Sequence, residues 1–136
     1  MNVTMLLADA AQVSDNKLYI LGGGWSMAHG ANPMALAIKI GVPWDQANRS
    51  HSWSIELLSE DGQPVIIADP SGERPLRIEG KFEVGRPPGL KPGTQLDVPL
   101  AMSIGPLPLS PGRYIWRLTI DDRSDEAWQI AFDRLV

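Results

Sequence analysis

Large apolar residues alternate with polar ones in six separate stretches of this chain. The clearest is the run from Leu76 to Val84, in which every even position except Gly80 is a large apolar residue and every odd position is charged. Successive side chains of a β-strand point to opposite faces, so each stretch predicts a strand with one buried face and one wet face. Repeated along the chain, the pattern predicts an antiparallel all-β domain.

The turn residues between these stretches set the architecture. About nine strands are predicted, at the spacing typical of a sandwich or barrel. Their connections are too short for helical crossovers, so the pairing should be antiparallel. We therefore expect residues 1–136 to form one domain. It should be an antiparallel β-sandwich of about eight to nine strands, with an immunoglobulin-like or C2-like topology.

The first two segments predict a hairpin. Residues 2–11 are apolar on both faces and permit either a buried strand or a short helix. The turn at Ser14, Asp15 and Asn16 suits left-handed backbone, which Asp and Asn tolerate. Residues 17–21 are again apolar on both faces, which predicts a central strand.

Three further segments carry specific expectations. The glycines at 22–24 indicate a bulge or bend, and residues 30–33 indicate a loop. In the strand at residues 34–42, one face carries only Ala35, Ala37, Lys39 and Gly41, which predicts an exposed small-residue surface for a closely packed neighbour. Pro99 predicts an edge strand or a bulge, because proline cannot donate to a sheet.

The five tryptophans fall into two groups. Trp53, Trp116 and Trp128 lie on the inward register of their strands, which predicts that they belong to the core. Trp25 and Trp44 lie where strands meet loops. Tryptophans in such positions can stack on a sugar or anchor a partner, and they can equally plug the ends of the sandwich.

Composition and charge exclude several classes of protein. The chain has no cysteine, which excludes disulfides, thiolate metal sites and a cysteine nucleophile. Its net charge is −4 and its basic residues are scattered, which argues against nucleic-acid binding. No apolar stretch has the ~20 residues that a membrane span needs, and the N-terminus lacks the basic region of a signal peptide. These features predict a cytoplasmic protein without membrane or nucleic-acid partners.

Candidate chemistry is sparse. His29 and His51 lack the spacing of a zinc site, which needs three or four ligands. An enzyme would need one of them beside a carboxylate in a concave pocket. The acidic turn from Asp121 to Asp125 is either an ordinary polar turn or, less favoured, a calcium loop. We therefore expect no catalytic residue, no metal site and no cofactor.

Several segments resemble the members of one protein family. They are Leu7-Ala8-Asp9-Ala10-Ala11, the run from Lys17 to Trp25, Pro43-Trp44-Asp45 and the turn from Leu109 to Tyr114. Together they look like a family of small uncharacterised bacterial all-β proteins. The resemblance implies a bacterial source and no catalytic residue.

The sequence thus favours a non-enzymatic structural or interaction module, which self-assembles as a homo-oligomer or binds a protein partner. Edge strands and exposed apolar features motivate this hypothesis. The alternative is a small-ligand or carbohydrate-binding β-sandwich that uses Trp25 and Trp44. His29 and His51 complete the set of candidate ligand- or partner-binding residues. The third hypothesis is that the chain is an enzyme.

Overall fold

The computed structural model describes residues 1–30 and 32–136, which form eleven β-strands and no α-helix. In chain order the strands are β1 (Asn2–Ser14), β2 (Lys17–Gly23), β3 (Met27–His29), β4 (Met34–Val42), β5 (His51–Ser59), β6 (Ile66–Asp69), β7 (Gly72–Pro75), β8 (Arg77–Phe82), β9 (Leu96–Ile104), β10 (Gly112–Ile120) and β11 (Arg123–Leu135). A 3-10 turn at Trp44–Gln46 precedes β5. The predicted all-β class is confirmed. The short strands β3 and β7 were not predicted. The loop predicted at residues 30–33 includes Ala31, which lies outside the described residues.

The strands form two main sheets and one small ribbon. The first sheet has the order β2-β1-β4-β9 and the second has the order β3-β11-β10-β5-β8, while β6 and β7 pair with each other. All pairs are antiparallel except β3 with β11, which is parallel. The purely antiparallel prediction was wrong at this one edge, because the chain crosses from the first sheet to the second before β3. The immunoglobulin-like or C2-like sandwich topology stays a prediction.

Inward-facing side chains from both main sheets share one hydrophobic core. Trp116 of β10 and Phe132 of β11 are fully buried, as are Leu36 and Ile38 of β4. Burial of each such side chain contributes roughly 1.5–3 kcal/mol to folding. The long connection between β8 and β9, which is rich in proline and glycine, crosses from the second sheet to the first.

Two hairpins turn through pairs of polar residues with left-handed backbone. Asp15 and Asn16 have φ of 51° and 57°, and Asp121 and Asp122 have φ of 50° and 62°. Two consecutive positive φ values define a type I′ turn, whose twist matches that of the flanking strands. The predicted turn after Ser14 is therefore confirmed, and with it the β1–β2 hairpin.

The predicted central position of β2 was wrong. β2 is the edge strand of the first sheet, and most of its residues are exposed. Apolar residues on both faces of a strand usually indicate burial between layers, but here they belong to a hairpin whose distal part has no layer on either side. The edge position predicted from Pro99 is confirmed, since β9 ends the opposite side of that sheet.

The predicted exposure of the small-residue face of β4 was also wrong. Ala35 and Ala37 are only 1% and 2% exposed. β4 lies between β1 and β9, and the first sheet curls so that β1 and β2 approach β9 within 8 Å between Cα atoms. The side chain of Gln95 occupies the space over Gly41. The small side chains on this face are therefore buried by close internal packing.

The tryptophans on the inward register belong to or border the core. Trp116 is fully buried, while Trp53 and Trp128 pack against the core and keep partial exposure. Trp53 explains the one gap in the alternation of β8. Gly80 pairs with Trp53 across the two strands, and a Cβ atom on Gly80 would lie 2.8 Å from the Trp53 ring.

We expect Gly80→Ala to lower the free energy of unfolding by roughly 1–3 kcal/mol, because the added methyl group overpacks a site that a rigid indole already fills. Gly105→Ala is the matched control. It places its Cβ in open space at an ordinary backbone conformation, so its stability should equal or slightly exceed that of the wild type. Urea denaturation measures both variants, and equal stabilities would contradict the packing argument.

Candidate functional site

β1 changes its neighbour halfway along its length. Residues from Asn2 to Ala8 pair with β4, and residues from Ala8 to Ser14 pair with β2. Beyond Ala8 the first sheet is therefore reduced to two strands. We call this two-stranded part, residues 9–23, the hairpin arm.

The hairpin arm exposes apolar side chains on both faces. Tyr19 and Leu21, which are 51% and 71% exposed, lie on one face, and Val13 and Ile20 lie on the other. Alanine residues of β1 and the side chains of Tyr19 and Leu21 border a shallow depression of about 390 Å³. Singly exposed apolar residues are normal on protein surfaces, but a contiguous cluster marks an interaction surface.

The outer edge of β2 has few of the features that protect edge strands. Its backbone N–H and C=O groups on this side pair with no other strand among the described residues. Edge strands are usually protected by charges, proline or short length. β2 has seven residues, no proline, and Lys17 as its one charged residue. The arm therefore combines an open hydrogen-bonding edge with an apolar surface.

A second feature lies at the start of β5, where His51 is only 3% exposed. Its Nδ1 lies 2.6 Å from Oδ2 of Asp121, and its Nε2 lies 2.8 Å from the backbone oxygen of Gln46. The ring also stacks on Phe82, with 5.2 Å between the ring centroids. His51 thereby links the 3-10 turn, β5, β8 and the turn between β10 and β11.

The partners of His51 engage both nitrogens of its ring. Nδ1 faces a carboxylate oxygen and Nε2 faces a carbonyl oxygen, and an ionised carboxylate and a carbonyl can only accept hydrogen bonds. Burial raises the pKa of Asp121, but the hydrogen bonds from His51 and from the backbone N–H of Ser52 outweigh it and hold that pKa below its ordinary value of 3.8. The contact thus joins a buried imidazole to a partly exposed carboxylate.

This arrangement meets only part of the requirement for catalysis. An imidazole and a carboxylate do meet, and they border an open cleft of about 500 Å³. A histidine that acts as general base needs a ring nitrogen free to accept a proton from its nucleophile. Both nitrogens of His51 instead contact oxygen atoms of the fold. The pair therefore fastens the end of the domain and leaves no free base.

The four predicted site residues do not converge. Trp44 and His51 lie at the end of the domain that holds the 3-10 turn. Trp25 lies just before β3, and His29 is the last residue of β3. This strand pairs with β11 at Asp133–Leu135. Arg123 and Asp133 lie at opposite ends of β11, roughly 30 Å apart in extended backbone, so the two pairs occupy opposite ends of the domain.

The two candidate tryptophans are only partly accessible. Both Trp25 and Trp44 pack against the core. The guanidinium of Arg86 lies 4.7 Å from the ring centre of Trp44 and donates two hydrogen bonds to its backbone oxygen. One face of Trp44 is therefore covered. His29 is exposed on the short edge strand β3.

The acidic turn has its own hydrogen bonds. Both carboxylate oxygens of Asp121 are occupied by His51 and Ser52, and Asp125 accepts from the N–H of Ala127. Within residues 1–30 and 32–136, no three or more His, Asp or Glu side chains cluster as metal ligands would. The described residues also contain no helix of the length and apolarity that a membrane span requires.

Sequence reasoning missed the role of Asp121 and the exposure of β2. Asp121 is separated from His51 by 70 positions, and its two-aspartate turn is typical of many hairpins. A signal was present in β2, since a strand that follows a tight turn and ends in three glycines suits an edge better than the middle of a sheet.

Residues 3–132 match the profile of a protein family described as "Family of unknown function (DUF6941)". No curated protein sequence and no solved structure matches the chain. The predicted resemblance to an uncharacterised family is thereby confirmed, while the predicted bacterial origin stays a prediction.

We expect His51→Phe to lower the free energy of unfolding by about 1–3 kcal/mol. The new ring keeps the stacking on Phe82 but leaves the Gln46 oxygen and the Asp121 carboxylate without their donor. His29→Phe, at an exposed position, should change stability by less than about 0.5 kcal/mol. Thermal and urea denaturation measure both, and equal effects would contradict a fastening role for His51.

Asp121 should contribute to the acid sensitivity of the fold. Because its pKa is lower in the folded state, the unfolded chain binds this proton more readily, and stability falls as pH drops below about 3.8. Above that pH the contribution is complete. Asp121→Asn should cost roughly 1 kcal/mol at neutral pH and should show a shallower loss between pH 5 and pH 2. Parallel curves for the two proteins would contradict this assignment.

Proposed function

We propose that this chain, which belongs to the DUF6941 family of unknown function, is a non-enzymatic interaction module that self-associates through the free edge of β2. The observation that carries the proposal is the hairpin arm. It combines an unpaired backbone edge with exposed Tyr19, Ile20 and Leu21. An added strand would gain main-chain hydrogen bonds and bury these side chains at the same time.

A second copy of the chain suits this edge for reasons of charge and symmetry. Most soluble homo-oligomers are built on two-fold axes, where the same surface meets itself. If two β2 strands pair antiparallel about such an axis, their apolar residues 18–21 lie at the centre. The two Lys17 side chains, which carry the only charges in β2, then lie at opposite ends of the interface. No like charges face each other, and like charges directly opposite would destabilise the pairing.

The occupied ring of His51 supports the non-enzymatic part of the proposal. The imidazole of His51, which lies beside a carboxylate, has both nitrogens in contact with oxygen atoms of the fold, so neither is free to take a proton from a nucleophile in this arrangement. The absence of cysteine fits a cytoplasmic protein, which we propose to be bacterial. A different protein partner at the same edge is the outcome to expect if the chain proves monomeric.

The alternative, a carbohydrate or small-ligand binder that uses Trp25 and Trp44, has weaker support. Stacking sites need accessible ring faces that converge on one ligand. Here the two rings pack against the core at opposite ends of the domain, and Arg86 covers one face of Trp44.

We expect the wild type to sediment as a dimer at tens of micromolar and Leu21→Lys to sediment as a monomer. The substitution places a charge on the most exposed apolar residue of the edge and should weaken association at least about tenfold. Ile66→Lys is the matched control, because Ile66 is 52% exposed on β6, outside the hairpin arm. It should remain dimeric. A monomeric wild type, or equal dissociation of both variants, would overturn the proposal.

A further inference from the structure

The open cleft beside His51 is lined by two arginines that the structural role of His51 does not use. The cleft lies between the 3-10 turn, the start of β5 and the turn between β10 and β11. Arg49 and Arg123 line it together with Ser50 and Trp128. The whole chain carries a net charge of −4, so a locally positive cleft stands out against the acidic remainder.

The carboxylate inside the cleft is already engaged. One oxygen of Asp121 contacts His51 and the other accepts a hydrogen bond from the backbone N–H of Ser52. The guanidinium groups of Arg49 and Arg123 are the other charged side chains that line the cleft. The guanidinium of Arg49 donates one hydrogen bond to the backbone oxygen of Asp45, which leaves other N–H groups of its five free.

Arg123 is more available still. Its side chain takes part in none of the ion pairs formed between described residues. A guanidinium presents a planar fork of donors that matches the oxygen atoms of phosphate and carboxylate groups. Two such groups on one cleft match a ligand with about two negative charges, which is the charge of a phosphate monoester near neutral pH.

The size and wall of the cleft favour an organic phosphate over the bare ion. Its volume of about 500 Å³ lies within the range of small-molecule sites, about 300–1,000 Å³, and exceeds what a phosphate group alone would fill. Trp128 is partly buried against the core and lines the same cleft. Its indole offers an apolar wall for the remainder of the ligand.

We propose that this cleft binds a small phosphate monoester, with Arg49 and Arg123 holding the phosphate group and Trp128 contacting the organic part. Ser50 adds a hydroxyl donor. His51 has no ring nitrogen left for the ligand, and its two contacts fix the 3-10 turn and the β10–β11 turn that form the walls.

The two probes are phenyl phosphate and inorganic phosphate. Isothermal titration calorimetry measures the affinity for each probe, and NMR measures the shift of the Trp128 indole signal. Phenyl phosphate should bind and shift the indole signal, and inorganic phosphate should bind more weakly. The double variant Arg49→Gln/Arg123→Gln should lose at least about tenfold in affinity. Equal affinity for both probes would overturn the role of Trp128.

The matched control is Arg77→Gln/Arg117→Gln, which changes the net charge by the same amount on strands β8 and β10, away from the cleft. It should bind phenyl phosphate as the wild type does, and so should Leu21→Lys, since the cleft is independent of the hairpin arm. Circular dichroism checks that the variants fold. If the double variant unfolds, the single variant Arg123→Gln, at an exposed position, takes its place in the binding measurement and should also bind phenyl phosphate more weakly. No binding at millimolar concentrations, or an equal loss in the control, would overturn the proposal.

Discussion

The structure depends on one hydrophobic core that both main sheets share. Neither sheet is flanked by an α-helix among the described residues, so their large apolar side chains are buried against one another and against connecting segments that contribute Leu107 and Leu109. Trp116 and Phe132 lie at the centre of this contact. Each sheet must keep its apolar face continuous toward this core. That requirement constrains the strand register, the positions of the turns and the places where the chain crosses between sheets.

At the ends of the domain, polar contacts add to the apolar packing of the core. At one end, the buried imidazole of His51 connects two elements that are 70 positions apart in sequence. A buried polar group is costly to leave without hydrogen-bond partners, so losing either partner of His51 would destabilise this end. The same contacts orient the loop that carries Arg49, and in this way they shape the adjacent cleft.

Much of the fold could be predicted from local chemistry. Alternation in residues 76–84 fixes the buried face of β8, and paired polar residues locate the two type I′ turns. Burial itself was harder to predict. Residues 17–21 have the composition of a central strand, yet their environment depends on where β1 leaves β4, which alternation does not reveal. Conversely, Ala35 and Ala37 are small because the sheet curls tightly over them.

The candidate sites were less predictable than the fold. Each combines residues that are distant in sequence, as with His51 and Asp121, or residues whose accessibility depends on tertiary packing, as with Trp25 and Trp44. Local spacing carries no information about such contacts. Arg49 and Arg123 likewise look like ordinary surface residues in the sequence, and they become a pair only when two turns meet at one end of the domain.

β1 joins two regions of different cooperativity in one continuous strand. Its first half pairs with β4 and contributes Leu7 to the core, so that half is tied to the main body of the domain. Its second half has β2 as its strand partner, and a two-stranded ribbon is only marginally stable in water. The distal residues can therefore fray while the core stays folded. Evolution can accordingly vary the tip of this strand with little penalty to folding, whereas changes in the half that pairs with β4 would disturb contacts to the core.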